Sequence, residues 1–156
     1  MPEIKERFGS FKAFADADIT TLLGEKINDA VHLQAKEFHS LILRNNGGKL
    51  SVEYLPHESQ LSCVNAIEVD DFNKDGYLDV LVAGNNFNTE SETTRADGSM
   101  GLLMKGQADG SLIPTTIEES GVFLPYDVKD LLTVKTSTSK VILVASNDDL
   151  LRAIKY

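Results

Sequence analysis

The nine residues Asp71-Phe72-Asn73-Lys74-Asp75-Gly76-Tyr77-Leu78-Asp79 place side-chain oxygens at relative positions 1, 3, 5 and 9, with glycine at position 6. Alternate residues of a tight loop can turn their oxygens inward, and glycine supplies the positive φ that a sharp turn needs. Asp71, Asn73, Asp75 and Asp79 then offer three carboxylates and one amide, and the backbone carbonyl of Tyr77 adds a further oxygen. A hard, all-oxygen set of formal charge −3 suits calcium better than magnesium, which demands a small and regular octahedral shell. An EF-hand loop begins the same way but needs a bidentate glutamate at position 12, where this chain has Val82. Its flanks should also be helical, whereas Ala66-Ile67-Glu68-Val69 and Val80-Leu81-Val82-Ala83 are rich in β-branched and aliphatic residues. The spacing therefore predicts a calcium loop held between two strands.

The other chemistry-bearing side chains do not gather. His32, His39 and His57 lack ligand spacing and read as surface or strand-edge residues. Cys63, the single cysteine, precedes a strand and reads as a small buried apolar residue rather than a nucleophile. No Gly-x-Ser-x-Gly elbow occurs, and Gly106-Gln107-Ala108-Asp109-Gly110 reads as a hairpin turn, because no helix or lysine follows it as in a phosphate loop. The polar segment from Gly84 to Ser99, with Phe87 in it, is long enough to contact a ligand. Its Asn85-Asn86 pair recurs as Asn147-Asp148, which favours a structural turn.

Strand-like segments flank the loop. Ser40 to Arg44 and Lys49 to Tyr54 are joined by Asn45-Asn46-Gly47-Gly48 and read as a hairpin. Val64 to Val69 and Leu78 to Gly84 follow as the third and fourth strands. The order then repeats: Leu102-Leu103-Met104-Lys105 matches Leu41-Ile42-Leu43-Arg44 at an offset of 61 (102 − 41), and Val141 to Asn147 matches Asp79 to Asn85 at 62 (145 − 83). A near-constant period with four short strands per unit points to propeller blades. Before residue 31 the period is helical, with Ile19, Leu22 and Leu23 on one face, Asp16 or Asp18 as N-cap and Gly24 at the end. Glu25 to Ala30 forms a second short helical stretch.

The 156 residues suffice for one ordinary domain. The net charge of −9 argues against a binder of phosphate backbones, which needs a basic stripe. A lone cysteine excludes an internal disulfide, and no run of about 18 apolar residues offers a membrane span. The first residues, Met1-Pro2-Glu3-Ile4-Lys5, have no apolar signal core.

Asp71 to Gly84, with Ser40 to Gly47 upstream and Gly101-Leu102-Leu103 and Ala108-Asp109-Gly110 downstream, resembles the FG-GAP/VCBS repeats that form integrin-α-like β-propeller blades. The resemblance spans roughly residues 31–156 and is closest to the carboxy-terminal part of bacterial VCBS proteins of the ASPIC/UnbV type. It implies that Asp71, Asn73, Asp75 and Asp79 ligate calcium by side chain and Tyr77 by its carbonyl. In the second copy the same positions are Thr133, Lys135, Ser137 and Val141, so one ion per chain is expected.

The expected fold is all-β: two four-stranded blade units of a partial β-propeller with a short helical amino-terminal element. Residues 1–38 would hold that element and a first strand, 39–99 the unit with the calcium loop, and 100–156 the unit with the degenerate loop. The expected function is a non-enzymatic, calcium-stabilised binding or adhesion module of a secreted or cell-surface bacterial protein, its signal sequence lying outside this chain. Its partner would be a protein or a glycan, with self-association through open sheet edges as a further possibility. The rival expectation is a fragment of a propeller enzyme, a lyase or hydrolase acting on polysaccharide.

Overall fold

A computed structural model describes residues 2–156. The chain divides into two units, Met1–Phe38 and His39–Tyr156. The first is helical, with α1 (Pro2–Arg7), α2 (Phe11–Ala15), α3 (Ile19–Leu23) and a 3-10 segment at Gly24–Asp29. Helices of five or six residues are marginal without support, and caps supply part of it here. Ser10 Oγ accepts from the Ala13 N–H at 3.1 Å, and Asp18 Oδ1 accepts from Thr21 N–H at 2.7 Å, so Asp18 rather than Asp16 is the cap of α3. The Arg7 guanidinium donates to the Leu22 carbonyl at 2.8 Å, and Phe8 meets Phe14 edge-on.

The second unit is built of three antiparallel sheets. The first pairs β1 (Leu41–Asn46) with β2 (Lys49–Tyr54), closed by Gly47 and Gly48 at φ 65° and 93°. Two positive φ values are the mark of the hairpin turn whose twist matches its strands. The second sheet runs β3 (Val64–Asp70), β4 (Asp79–Gly84), β5 (Leu102–Gly106) and β6 (Leu112–Pro114). The third runs β7 (Val128–Lys135), β8 (Lys140–Ser146) and β9 (Arg152–Lys155). Between β6 and β7 a one-turn helix, α4 (Ile117–Ser120), is fixed by a Thr116/Glu119 capping box.

Sheet membership does not follow the sequence units. The hairpin β1–β2 is not hydrogen-bonded to β3–β4; instead β4 pairs with β5, so the second sheet takes two strands from each unit. One pair of registers nevertheless keeps the period: Leu43↔Val52 and Met104↔Pro114 are both paired positions, at offsets of 61 (104 − 43) and 62 (114 − 52). Ala66↔Ala83 of β3–β4 instead maps onto Asp130↔Ala145 of β7–β8 at 64 (130 − 66) and 62 (145 − 83). An irregularity at Val64/Ala66 beside Gly84 is matched by one at Val128/Asp130 beside Ser146.

The core lies between the second and third sheets. Ala66, Leu81, Ala83 and Leu103 pack against Val128, Leu131, Ile142 and Val144, with Val122 and Leu124 closing one side. Strand alternation sends these residues to one face. Polar bonds also cross the gap: Glu68 accepts from the Thr133 N–H at 2.9 Å, and the Asn65 amide donates to the Val128 carbonyl at 2.9 Å. On the hairpin, Leu43, Leu50, Val52 and Tyr54 stay exposed, as do Leu132 and Val134 of β7.

Candidate functional site

Asp70 and Asp79 form the last register pair of β3 and β4, and residues 71–78 cross between them. Acidic and amide side chains shape that crossing by accepting its own N–H groups, the usual work of Asx residues in turns. Asp71 Oδ1 accepts from the Asp75 N–H at 3.1 Å and Oδ2 from the Gly76 N–H at 3.0 Å. Asn73 Oδ1 accepts from the Asp75 N–H at 2.9 Å, and Asp75 Oδ1 accepts from the Tyr77 N–H at 2.9 Å. The Asn73 amide donates to Asp75 Oδ2 at 2.7 Å. Lys74 at φ 63° and Gly76 at φ 94° provide the reversal, and only the glycine is free of strain there.

Asp79 is the floor of the loop and is fully buried. Its Oδ2 accepts from the N–H groups of Phe72 at 3.0 Å and Asn73 at 3.4 Å, and its Oδ1 from the Gly106 N–H at 2.9 Å. Gly106 comes so near that a Cβ there would stand 2.1 Å from the Leu78 carbonyl oxygen. Its lack of a side chain is what lets β5 reach the carboxylate. Among the described ion pairs none involves Asp79.

The five residues singled out by spacing thus share one loop, but they occupy it unequally. Asp79 is buried, Asp71 half-buried, and Asn73, Asp75 and Tyr77 are exposed. Among the described residues no three His, Cys, Asp or Glu side chains stand together in a metal-holding group. The donor chemistry still fits calcium: every candidate atom is a hard oxygen, and a carboxylate that accepts two N–H bonds keeps lone pairs for an ion. Asp71, Asn73, Asp75, the Tyr77 carbonyl and Asp79 would hold it, and the ion would supply positive charge rather than reactivity. At the corresponding place in the third sheet, the Thr136 hydroxyl accepts from Ser139 N–H at 3.0 Å, and four residues suffice to join β7 to β8.

Spacing alone did not reveal the cluster beside the loop. Lys140 Nζ donates to Asp70 Oδ1 at 2.6 Å and the Tyr156 hydroxyl donates to Asp70 Oδ2 at 2.7 Å, across 70 and 86 residues of chain. Tyr156 also meets Phe72 edge-on at 4.7 Å. The Lys140 and Tyr156 hydrogen bonds hold the Asp70 carboxyl below its ordinary range, while burial and then the Asp70 carboxylate push the Tyr156 hydroxyl up to about 12. The stability contributed by ionised Asp70 is present above the unfolded aspartate value near 4 and lost as pH falls through the lowered one. That contributed by protonated Tyr156 is full below about 10 and lost as pH rises towards about 12. Asp70→Asn is therefore expected to lower the urea midpoint at pH 7 and to flatten its fall below pH 5. Parallel stability-against-pH curves for the two proteins would contradict this assignment.

The remaining candidates are dispersed. His32, His39 and His57 are all exposed. Cys63 is exposed too, against the expectation of a buried residue, because the strand begins one residue later and leaves its side chain outside the core. In the segment after β4, Asn85 is fully buried at φ 113°, and its side chain donates to the Ser99 and Tyr126 carbonyls at 2.8 and 3.0 Å and accepts from the Ser99 N–H. That network ties both ends of the segment to the body, so Asn85 is a structural residue.

Comparison with protein-family models, with curated proteins and with solved structures finds no match to this chain.

Proposed function

We propose that the second unit is a calcium-stabilised, non-catalytic binding module built of propeller-type blades, working at the cell surface or as part of a secreted protein. The observation that carries this reading is Asp79: a fully buried carboxylate beneath an acidic loop, hydrogen-bonded to three backbone N–H groups and paired with no cation among the described residues. Hydrogen bonds offset part of the cost of burying a charge, and a divalent ion beside it would offset much of the rest. The register period shared by β1–β2 and β5–β6 and the face-to-face core support the blade reading. Exposed apolar sheet faces, with Leu43, Leu50 and Val52 on one and Leu132 and Val134 on another, are surfaces of the kind that receive a protein partner, a second copy included. No observation favours the polysaccharide-cleaving alternative.

The test is a thermal melt in calcium and in chelator. Binding to the folded state alone stabilises by about 2.7 kcal/mol when the ion stands at 100 times its Kd, and extracellular modules bind calcium with Kd of about 10⁻⁴–10⁻³ M. A rise in Tm of several degrees between EDTA and about 10 mM calcium is expected, with little response to magnesium. Asp75→Asn keeps an oxygen for the Tyr77 N–H but removes a carboxylate charge and the exposed bond from the Asn73 amide, so it should weaken the calcium response markedly at a small cost in the EDTA melt. A melt that ignores calcium throughout would refute the reading.

A further inference from the structure

Although the chain carries a net charge of −9, four of its lysines converge on one open cavity of about 560 Å³. Lys74 comes from the 71–79 loop, Lys135 from the end of β7, Lys140 from the start of β8 and Lys155 from the end of β9. Asp71 is the one acidic side chain in the lining, which also includes Thr136, Thr138, Ser139 and Tyr156; the Thr136 hydroxyl is bonded to Ser139 and the Tyr156 hydroxyl to Asp70. Lys135 and Lys140 are direct register partners on adjacent antiparallel strands. Like charges in that relation repel and destabilise a sheet. Asp70 relieves Lys140 through its 2.6 Å hydrogen bond, but Lys74, Lys135 and Lys155 have no acidic partner among the described residues. Three unneutralised ammonium groups therefore face one concavity in an otherwise acidic protein.

We propose that this cavity is a binding site for an acidic saccharide, a sugar unit bearing a carboxylate or a sulfate ester. The ammonium groups take the oxyanion, and low-dielectric walls focus their combined field at the cavity mouth. The Thr138 hydroxyl and the lysine ammonium groups can meet the hydroxyls of a sugar, and the lysine stems give apolar contact to its ring. The volume is that of a small-molecule site, of about 300–1,000 Å³, rather than of a lone ion. A phosphate-backbone polymer fits less well, because the acidic remainder of the chain repels it beyond these few lysines. The proposal goes beyond the calcium reading; the two share the 71–79 loop through Asp71 and Lys74, but Lys135, Lys140 and Lys155 come from the third sheet.

The test is calorimetric titration of the full chain, once in EDTA and once in calcium, and binding in either condition counts, so that the calcium reading can fail or hold without deciding it. Trigalacturonate probes the carboxylate form, lactose 3′-sulfate the ester form, and maltotriose serves as the neutral control. Saturable binding of either acidic probe is expected, with none for maltotriose. Lys135→Ala/Lys155→Ala should weaken that binding at least tenfold. Lys36→Ala/Lys49→Ala removes the same charge from exposed positions elsewhere and should leave it within twofold. Every lysine replaced is exposed, so unchanged melts are expected and are checked first. Equal binding of maltotriose, equal loss in the two double variants, or no binding of either acidic probe would overturn the proposal. So would inorganic phosphate or a four-residue thymidine oligonucleotide binding as tightly through the same lysines.

Discussion

Asp79→Ala is expected to destabilise the second unit by about 3–5 kcal/mol, read as a fall in urea midpoint at unchanged slope in EDTA. The variant leaves the N–H groups of Phe72, Asn73 and Gly106 without their acceptor. An unsatisfied buried donor costs about 1–3 kcal/mol; the Gly106 N–H is buried and the other two bonds only partly so, and water entering the vacated space recovers part of the sum. That is a large share of a stability of about 5–15 kcal/mol. Asp75→Ala, at an exposed site on the same loop, should cost about 1 kcal/mol or less. If the two variants were equally mild, Asp79 would not be the anchor its hydrogen bonds indicate.

The second large effect is expected at the other partner of that contact. Gly106→Ala would place a Cβ 2.1 Å from the Leu78 carbonyl oxygen, a distance that backbone must move to relieve. Moving β5 away also breaks the Gly106 N–H bond to Asp79. A loss of about 2–4 kcal/mol follows, the scale of overpacking plus one buried hydrogen bond. Gly9→Ala meets open space and should change stability by less than about 0.5 kcal/mol. Because both variants break one shared bond, Asp79→Ala/Gly106→Ala should cost less than the sum of the two. Strict additivity would show that Gly106 and Asp79 act independently, contrary to the geometry.

Much of the second unit is legible along the chain. The hairpin β1–β2 follows from alternation around an Asn/Gly turn, and β4 from a run of aliphatic residues after an acidic loop. The helix at Ile19–Leu23 lies between a capping Asp18 and Gly24, where its pattern and caps put it. Sheet membership was not legible. Nothing local tells whether β4 takes β1 or β5 as its next neighbour, because each is a short apolar strand of suitable length. The strand β9 covers only four residues, and β7 carries Lys129 and Asp130 at its irregular start, which blurs its alternation. The exposure of Cys63 turned on a single residue at the beginning of β3.

The sequence by itself determined the acidic loop. Oxygens two residues apart around a glycine, and the Asx hydrogen bonds they make, are properties of a few consecutive peptide units. Only the tertiary structure decided which of those oxygens is buried and what stands beside them. Asp79 receives its third donor from Gly106, which lies 27 residues on, and Asp70 takes Lys140 across 70. Three lysines with no acidic partner among the described residues reach the same cavity from β7, β9 and the loop itself. Contacts of that span depend on which strands pair and how two sheets pack, and both are settled by burial of the whole core rather than by any local spacing.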